Sequence, residues 1–146
     1  MTSPDLAKAH LAEACAQAMW ARDAASPALG MTLDHVAPGA ASVSMTVAPH
    51  MLNGHGTCHG GLIFALADTA FAFACNTGGM ASVASHCSIS FLHPVPPDAY
   101  LVALAEERHR EGRGGIYDVR VTMGDTIVAE FRGLSRTTGQ PLAHAS

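Results

Sequence analysis

The residues able to do chemistry crowd into one stretch, NGHGTCHGGLIFALAD, from Asn53 to Asp68. It holds an amide (Asn53), two imidazoles (His55, His59), a thiol (Cys58), paired glycines (Gly60, Gly61) and one carboxylate (Asp68). From Gly60 the residues turn to Ala, Leu, Phe and Ile as far as Asn76, so a long helix is expected over Gly60–Asn76. Thr77-Gly78-Gly79 then stops it, with glycine supplying a left-handed cap. The first four N–H groups of a helix have no partner within it, and the helix dipole adds positive potential there. Glycines at that end let a ligand oxygen come close, so the start of this helix suits an anion or an oxyanion. Tight packing of helix on sheet would use the same glycines. A nucleotide P-loop is excluded, because GxxxxGK[ST] is missing and no Lys follows.

Asp68 is the second signal. Leu62, Leu66, Thr69 and Phe73 mark one helix face, and Phe64, Asp68, Phe71 and Cys75 mark another. A helix apolar all round is expected to be buried. An unpaired charge there costs several kcal/mol, on the order of 3–5. Asp68 is therefore kept for chemistry, as base or nucleophile, or held by a neighbouring backbone N–H or by Thr69. Eight positions separate Gly60 from Asp68, about 12 Å along a helix axis. A donor and a carboxylate acting on one carbonyl must both lie roughly 3 Å from it. One chain cannot meet that condition. Two copies of the helix running antiparallel across a two-fold axis can, so if both residues are catalytic the site is shared and the protein is at least a dimer.

The surrounding elements follow from periodicity. Residues 5–24 read as an N-terminal helix, with Leu6, Leu11, Cys15 and Met19 at helical spacing and Ser26-Pro27 breaking it. Leu29, Met31 and Leu33 alternate, Ala37-Pro38-Gly39 turns, and Val43, Met45 and Val47 alternate again, which predicts a hairpin. Pro49 to Cys58 is a loop. Strands are expected over Ser82–Leu92, Ala99–Arg108, Gly115–Met123 and Thr126–Arg136, the last two joined at Gly124-Asp125. On the first, Val83, Ser85, Cys87, Ile89 and Phe91 are placed on one face. Strands gathered around one long helix give an α+β fold with a mainly antiparallel sheet and a single domain over residues 1–146.

Composition narrows the function. The chain has 146 residues, 49% apolar and 14% charged, which fits a full core and a subunit interface. A net charge of -4 argues against nucleic acid as a partner. The longest apolar stretch is broken by Asp68 and too short for a bilayer, so no membrane partner is expected. MTSPDLAKAH has no export-signal pattern and the four cysteines form no CxxC, so free thiols and a cytoplasmic location are expected. Nine His invite a metal, but His55 precedes the helix and no HExxH or paired CxxC accompanies it; no metal and no cofactor are expected. Cys58 beside His59 reads as a small buried hydrophobe rather than a thiol nucleophile.

MLNGHGTCHGGLIFALADTAFAFACN resembles the signature of the phenylacetate-degradation thioesterases of the hotdog-fold superfamily, and the likeness continues through ASVASHCSISFLHP, GGIYDV and AEFRGLSR. The resemblance implies a curled antiparallel sheet wrapped around the long helix, and homodimers with shared active sites paired into homotetramers. It implies hydrolysis of acyl-CoA, typically with aromatic acyl groups. Asp68 would be base or nucleophile, the Gly60 N–H would polarise the thioester carbonyl, and His59 and Asn53 would orient carbonyl, water or loop. A non-catalytic acyl-CoA-binding or sensing domain on the same fold is the alternative. Around this centre, Gly61, Phe64, Val83, Ser85 and Phe91 are candidates to line the substrate pocket, although core packing alone would also account for the strand residues and Phe64. Arg132 and Arg136, four apart on the last strand and so on one side, are candidates for the CoA phosphates or ordinary surface charges. At Phe91-Leu92-His93-Pro94 the sequence departs from relatives, which often carry Arg in place of His93.

Overall fold

The computed structural model describes residues 2–142. Helix α1 (Ser3–Trp20) opens with a capping box: the Asp5 N–H donates to Thr2 Oγ1 at 3.3 Å, and the Thr2 N–H donates to Asp5 Oδ2 at 3.2 Å. It therefore starts before residue 5 and ends before residue 24. Ser26-Pro27 does not break a helix but sits in a second, one-turn helix α2 (Ala25–Ala28), where the missing proline N–H is harmless. Asp23 accepts from the Ser26 N–H at 2.9 Å and from its hydroxyl at 2.6 Å. Leu29 and Met31 consequently precede the first strand rather than belonging to it.

Six strands follow: β1 (Thr32–Ala37), β2 (Ala40–Thr46), β3 (Met80–Phe91), β4 (Tyr100–Glu111), β5 (Gly114–Met123) and β6 (Thr126–Pro141). They form one antiparallel sheet in the order β1-β2-β4-β5-β6-β3. The long helix α3 (Gly60–Cys75) lies between β2 and β3 in the chain and packs chiefly on β2, β4 and β5. The inner face of the sheet is apolar in rows across the strands. Ala41, Ala105, Val119, Phe131 and Ile89 are paired in one such row. Against it α3 buries Ile63, Leu66, Ala67, Ala70, Phe71, Phe73 and Ala74. This is the expected α+β wrap of sheet around helix.

The core is close-packed enough to dictate a glycine. A Cβ on Gly133 would stand 2.7 Å from the buried Phe71 ring. Helix α1 covers the β1 side, burying Ala12, Cys15 and Ala16 and setting Trp20 6.0 Å from Phe73. The end of α3 is not closed by the glycines. Asn76 caps it, its Nδ2 donating to Ala72 O at 2.8 Å and Ser82 O at 3.0 Å while its Oδ1 accepts from the Ser82 N–H at 2.8 Å. The left-handed glycine, Gly79 with φ +92°, comes later and turns the chain into β3.

Among the described residues apolar groups are left open on several faces, two of them along α3 and β3. One is a stripe of α3 in which Gly61 is exposed and Ala65, Asp68, Ala72 and Cys75 are half-buried, so the helix is not buried all round. The other is the β3 edge and its continuation, where Met80, Val83, Phe91 and Leu92 are exposed.

Candidate active site

The loop before α3 is built by Asn53. Its Oδ1 accepts from the His55 N–H at 2.9 Å, the Thr57 N–H at 3.2 Å and the Thr57 hydroxyl at 3.3 Å. Three donors on one atom fix that atom as the oxygen and leave Nδ2 free to donate elsewhere. Two backbone bonds then pin the helix entrance: Cys58 N–H to Val95 O and His59 N–H to Met51 O, both 2.8 Å.

His59 is the N-cap of α3. Its carbonyl accepts from Leu62 N–H at 2.9 Å and Ile63 N–H at 3.3 Å, and its Nδ1 accepts from Gly61 N–H at 2.9 Å. An accepting Nδ1 carries no proton, so the neutral ring bears its proton on Nε2 of this exposed residue. Of the first four N–H groups of the helix, three are thereby used. The fourth, on Gly60, has no acceptor among the described residues. It borders a cavity of about 280 Å³ lined also by Asn53, Ile63, Phe91 and His93. The arrangement offers one polarised donor to an oxygen arriving from outside.

Asp68 lies two turns further along α3, half-buried. The expected local partner is otherwise engaged: the Thr69 hydroxyl donates to Ala65 O at 2.7 Å. Asp68 itself has no hydrogen bond or ion pair among the described residues. Burial pushes its carboxyl above the ordinary 3.8, which makes the carboxylate a stronger base than a free one. Nearby, burial drives the Cys75 thiol up to about 12, with Asp68 and Cys87 adding to the shift, and burial also raises Cys58. None of these thiols is primed as a nucleophile. Among the described residues no group of three or more His, Cys, Asp or Glu is gathered to hold a metal.

The remaining candidates separate. Phe64 meets Phe131 edge-on at 5.4 Å on the inner side of the sheet. Val83 does not share a face with Cys87 and Ile89. Ala84 pairs with Ser135 and His86 with Leu134, so Ser85 is an extra residue in a bulge that reverses the alternation. Val83 pairs with Arg136 and turns outward. Ser85 donates its hydroxyl to Leu134 O at 3.1 Å. Arg132 is committed to Asp118 by two bonds of 2.6 and 2.9 Å on the outer face, and Arg108 reaches the same carboxylate at 3.1 Å. Together they hold the Asp118 carboxyl below its usual range, the Arg132 bonds contributing most. Arg136 shares that face but has no carboxylate partner among the described residues. Phe91 stands nearer the chemistry than a wall residue would: its ring covers Gly60, and a Cβ added there would lie 3.1 Å from its tip. Strand periodicity is silent on which residue reaches a distant helix end.

A profile of the thioesterase superfamily matches residues 55–130, the span containing the helix entrance, α3 and most of the sheet. The chain belongs to the thioesterase superfamily. It is similar to the acyl-coenzyme A thioesterase PaaI of Escherichia coli, with 47% identity over 131 residues, 89% of this chain and 94% of that one. The solved structure of E. coli PaaI, from the phenylacetic acid degradation operon, matches with a TM-score of 0.89 at 46% identity, covering 91% and 97% of the two chains. A protein of Thermus thermophilus matches at 0.77 with 40% identity, covering 80% and 98%. A hypothetical thioesterase of Streptococcus pneumoniae solved with coenzyme A matches at 0.72 with 25% identity, covering 75% and 90%. The fold of this thioesterase-superfamily chain is the hotdog fold. No helix among the described residues is long and apolar enough to cross a membrane.

Proposed function

We propose that this chain hydrolyses acyl-CoA thioesters, with aromatic, phenylacetyl-type acyl groups as substrates, in sites shared between two subunits. The observation that carries the proposal is the Gly60 N–H, without an acceptor among the described residues at the N-terminus of α3 while its three neighbours are bonded. Superfamily membership makes the chain a thioester hydrolase, and the likeness to E. coli PaaI supports CoA as the thiol.

The thioester carbonyl sits with its oxygen on the Gly60 N–H. One such donor is worth about 3–4 kcal/mol to the developing oxyanion. Asp68 then draws a proton from an attacking water, the C–S bond breaks, and that proton passes to the departing thiolate so that CoA leaves as the thiol; or Asp68 attacks the carbonyl itself, CoA leaves as a thiolate that takes its proton from solvent, and water hydrolyses the acyl-Asp68 anhydride to free acid and carboxylate. Gly60 and Asp68 are about 12 Å apart along α3, so the Asp68 that acts on a given Gly60 comes from the partner subunit. The half-covered stripe of α3 and the exposed β3 edge are the surfaces on which that homodimer forms, and dimers pair into a homotetramer. Asn53 holds the entrance loop and offers Nδ2 to the substrate or the water. His59 fixes the first turn, Gly61 included, so that the Gly60 N–H points outward. Phe64, packed edge-on against Phe131, gives the acyl ring an aromatic wall. The enzyme works in the cytoplasm, where thiols such as its four free cysteines persist.

The test is release of CoA thiol from phenylacetyl-, hydroxyphenylacetyl-, benzoyl-, short-chain and long-chain acyl-CoA. Turnover of the aromatic members, lost in Asp68→Asn, supports the proposal. Saturable binding without turnover would replace it with an acyl-CoA sensor. Mixing Asp68→Asn subunits with subunits blocked at Gly60 should restore activity in heterodimers. No recovery after verified exchange removes the shared site.

A further inference from the structure

Most aromatic rings of this chain are paired. Of the five phenylalanines, Phe64 meets Phe131 at 5.4 Å, Phe71 lies 5.7 Å from Tyr117 and 5.8 Å from Phe131, and Phe73 lies 6.0 Å from Trp20. Phe91 has no aromatic neighbour among the described residues and is 51% exposed. Tyr100, also unpaired, stands elsewhere, at the start of β4 opposite Thr46.

The register shows why Phe91 is left over. Cys87, Ile89 and Phe91 alternate along the inner face of β3, beside Gly133, Phe131 and Ala129 of β6. Cys87 and Ile89 pack on the core. Opposite them, Gly60 and Phe64 are four positions apart and share one face of α3. Phe64 fills its position with a ring, and that ring meets Phe131. Gly60 has no side chain to offer Phe91, so the tip of the Phe91 ring leans in. Its Cζ and Cε1 stand 3.1 and 3.4 Å from where a Cβ would be. The backbone around this contact is held. The Leu92 and His93 N–H groups donate to Val128 O at 2.8 and 3.4 Å, and the Cys58 N–H donates to Val95 O at 2.8 Å. The movable part of the cavity wall is therefore the Phe91 side chain. Ile63, Leu92 and Val95 keep the lining beside it apolar. The cavity holds about 280 Å³, just under the usual lower end for ligand pockets of roughly 300 Å³. That space suits a single ring better than a long chain.

We propose that Phe91 is the residue that selects aromatic acyl groups. The aryl group of the substrate packs against the Phe91 ring while its carbonyl oxygen sits on the Gly60 N–H. This rests on the acyl-CoA reading above and names the side chain that sets the substrate class. Reach is compatible, because a ring one carbon from the carbonyl comes up against a side chain that touches the residue holding that carbonyl. Offset or edge-to-face aromatic pairs gain affinity beyond the area they bury, and a saturated ring of the same size forgoes that gain.

The experiment compares phenylacetyl-CoA with cyclohexylacetyl-CoA, close in size but without the π-system, in wild type, Phe91→Tyr and Phe91→Leu. The ratio of kcat/KM values is read beside calorimetric binding of both esters in an Asp68→Asn background, and sedimentation follows the assembly. Wild type should favour the aryl ester by about three- to tenfold. Phe91→Tyr should keep that ratio, and Phe91→Leu should bring it near one, in turnover and in binding alike. A ratio near one in wild type, or one that survives in Phe91→Leu, overturns the proposal and leaves the hydrolase reading intact. An equal loss for both esters does the same, since the ring would then serve the thiol arm or the fold. Dissociation of the Phe91→Leu assembly at concentrations where wild type stays paired would make the ring an interface residue and also overturn it. An aryl preference in binding that depends on Phe91, with no turnover of any ester, would sink the hydrolase reading and leave this assignment standing.

Discussion

The ring of Phe91 lies over the backbone of Gly60, so close that a Cβ on Gly60 would stand 3.1 Å from its tip. Phe91 is itself 51% exposed, so its ring can be pushed aside. Gly60→Ala is therefore expected to fold, with Tm within a few degrees of wild type. The added methyl blocks the approach to the unpartnered N–H. Turnover should fall by about a hundredfold or more, the loss seen when one oxyanion donor is removed. Full activity in Gly60→Ala would show that no substrate oxygen reaches this amide.

Asp68 links activity and stability with opposite signs. Burial raises its pKa in the folded chain above the unfolded 3.8. The folded state then binds the proton more tightly, so the contribution of Asp68 to stability is fully present below the unfolded value. It is lost as pH rises through the raised one. At neutral pH the ionised side chain is a burden. Asp68→Asn should raise Tm at pH 7, and the gain should vanish on acidification below about pH 3.8. The same variant should lose about a hundred- to ten-thousandfold in kcat. The wild-type rate should fall on its acid limb at a pH above the ordinary carboxylate value. A Tm that drops in Asp68→Asn at pH 7 would mean that the carboxylate is held by a stabilising partner.

Asn53 can be split into its two halves. Asn53→Asp keeps the oxygen that accepts three donors and removes Nδ2. Thermal stability should be near wild type while kcat falls at least about tenfold, since each charged-group hydrogen bond is worth roughly 1.5–3 kcal/mol. Asn53→Ala loses the loop bonds as well and should cost about 1–3 kcal/mol in denaturant unfolding. An Asp variant as unstable as the Ala variant would contradict the assignment of Oδ1 as the holder of the loop.

Gly133 tests the core. An added Cβ would meet three Phe71 ring atoms at 2.7–2.8 Å, and that ring is 1% exposed and flanked by Tyr117 and Phe131. With no room to yield, Gly133→Ala should destabilise by about 1–3 kcal/mol in a denaturant titration. An unchanged midpoint would show a looser core than the packing implies.

Much of this is legible in the chain itself, and the division has a physical basis. The start of α3 at Gly60, Asp68 as the one carboxylate on that helix and the antiparallel strands all follow from local pattern. What escapes depends on partners distant in sequence or on geometry that composition does not encode. An imidazole is an unusual N-cap, so nothing in the pattern marks His59 as the cap of α3. One extra residue at Ser85 turns Val83 to the outer face. Arg132 meets Asp118 across a neighbouring strand, which spacing along β6 cannot reveal. Asn76 closes α3 where glycine is expected, because its amide reaches both the helix and Ser82.

The position of β3 has a consequence in time. Among the described residues this strand pairs only with β6, yet β2, β4 and β5 all find their neighbours without it. During synthesis β3 and the helix before it leave the ribosome well ahead of β6. At roughly 5–20 residues per second the strand waits some seconds for its partner. Through that interval the dozen residues of β3, Val83 and Phe91 among them, carry backbone groups with no strand to pair with, the condition under which a strand edge invites wrong pairing. The chain order thus makes β3 an edge built early that must stand alone until β6 is made.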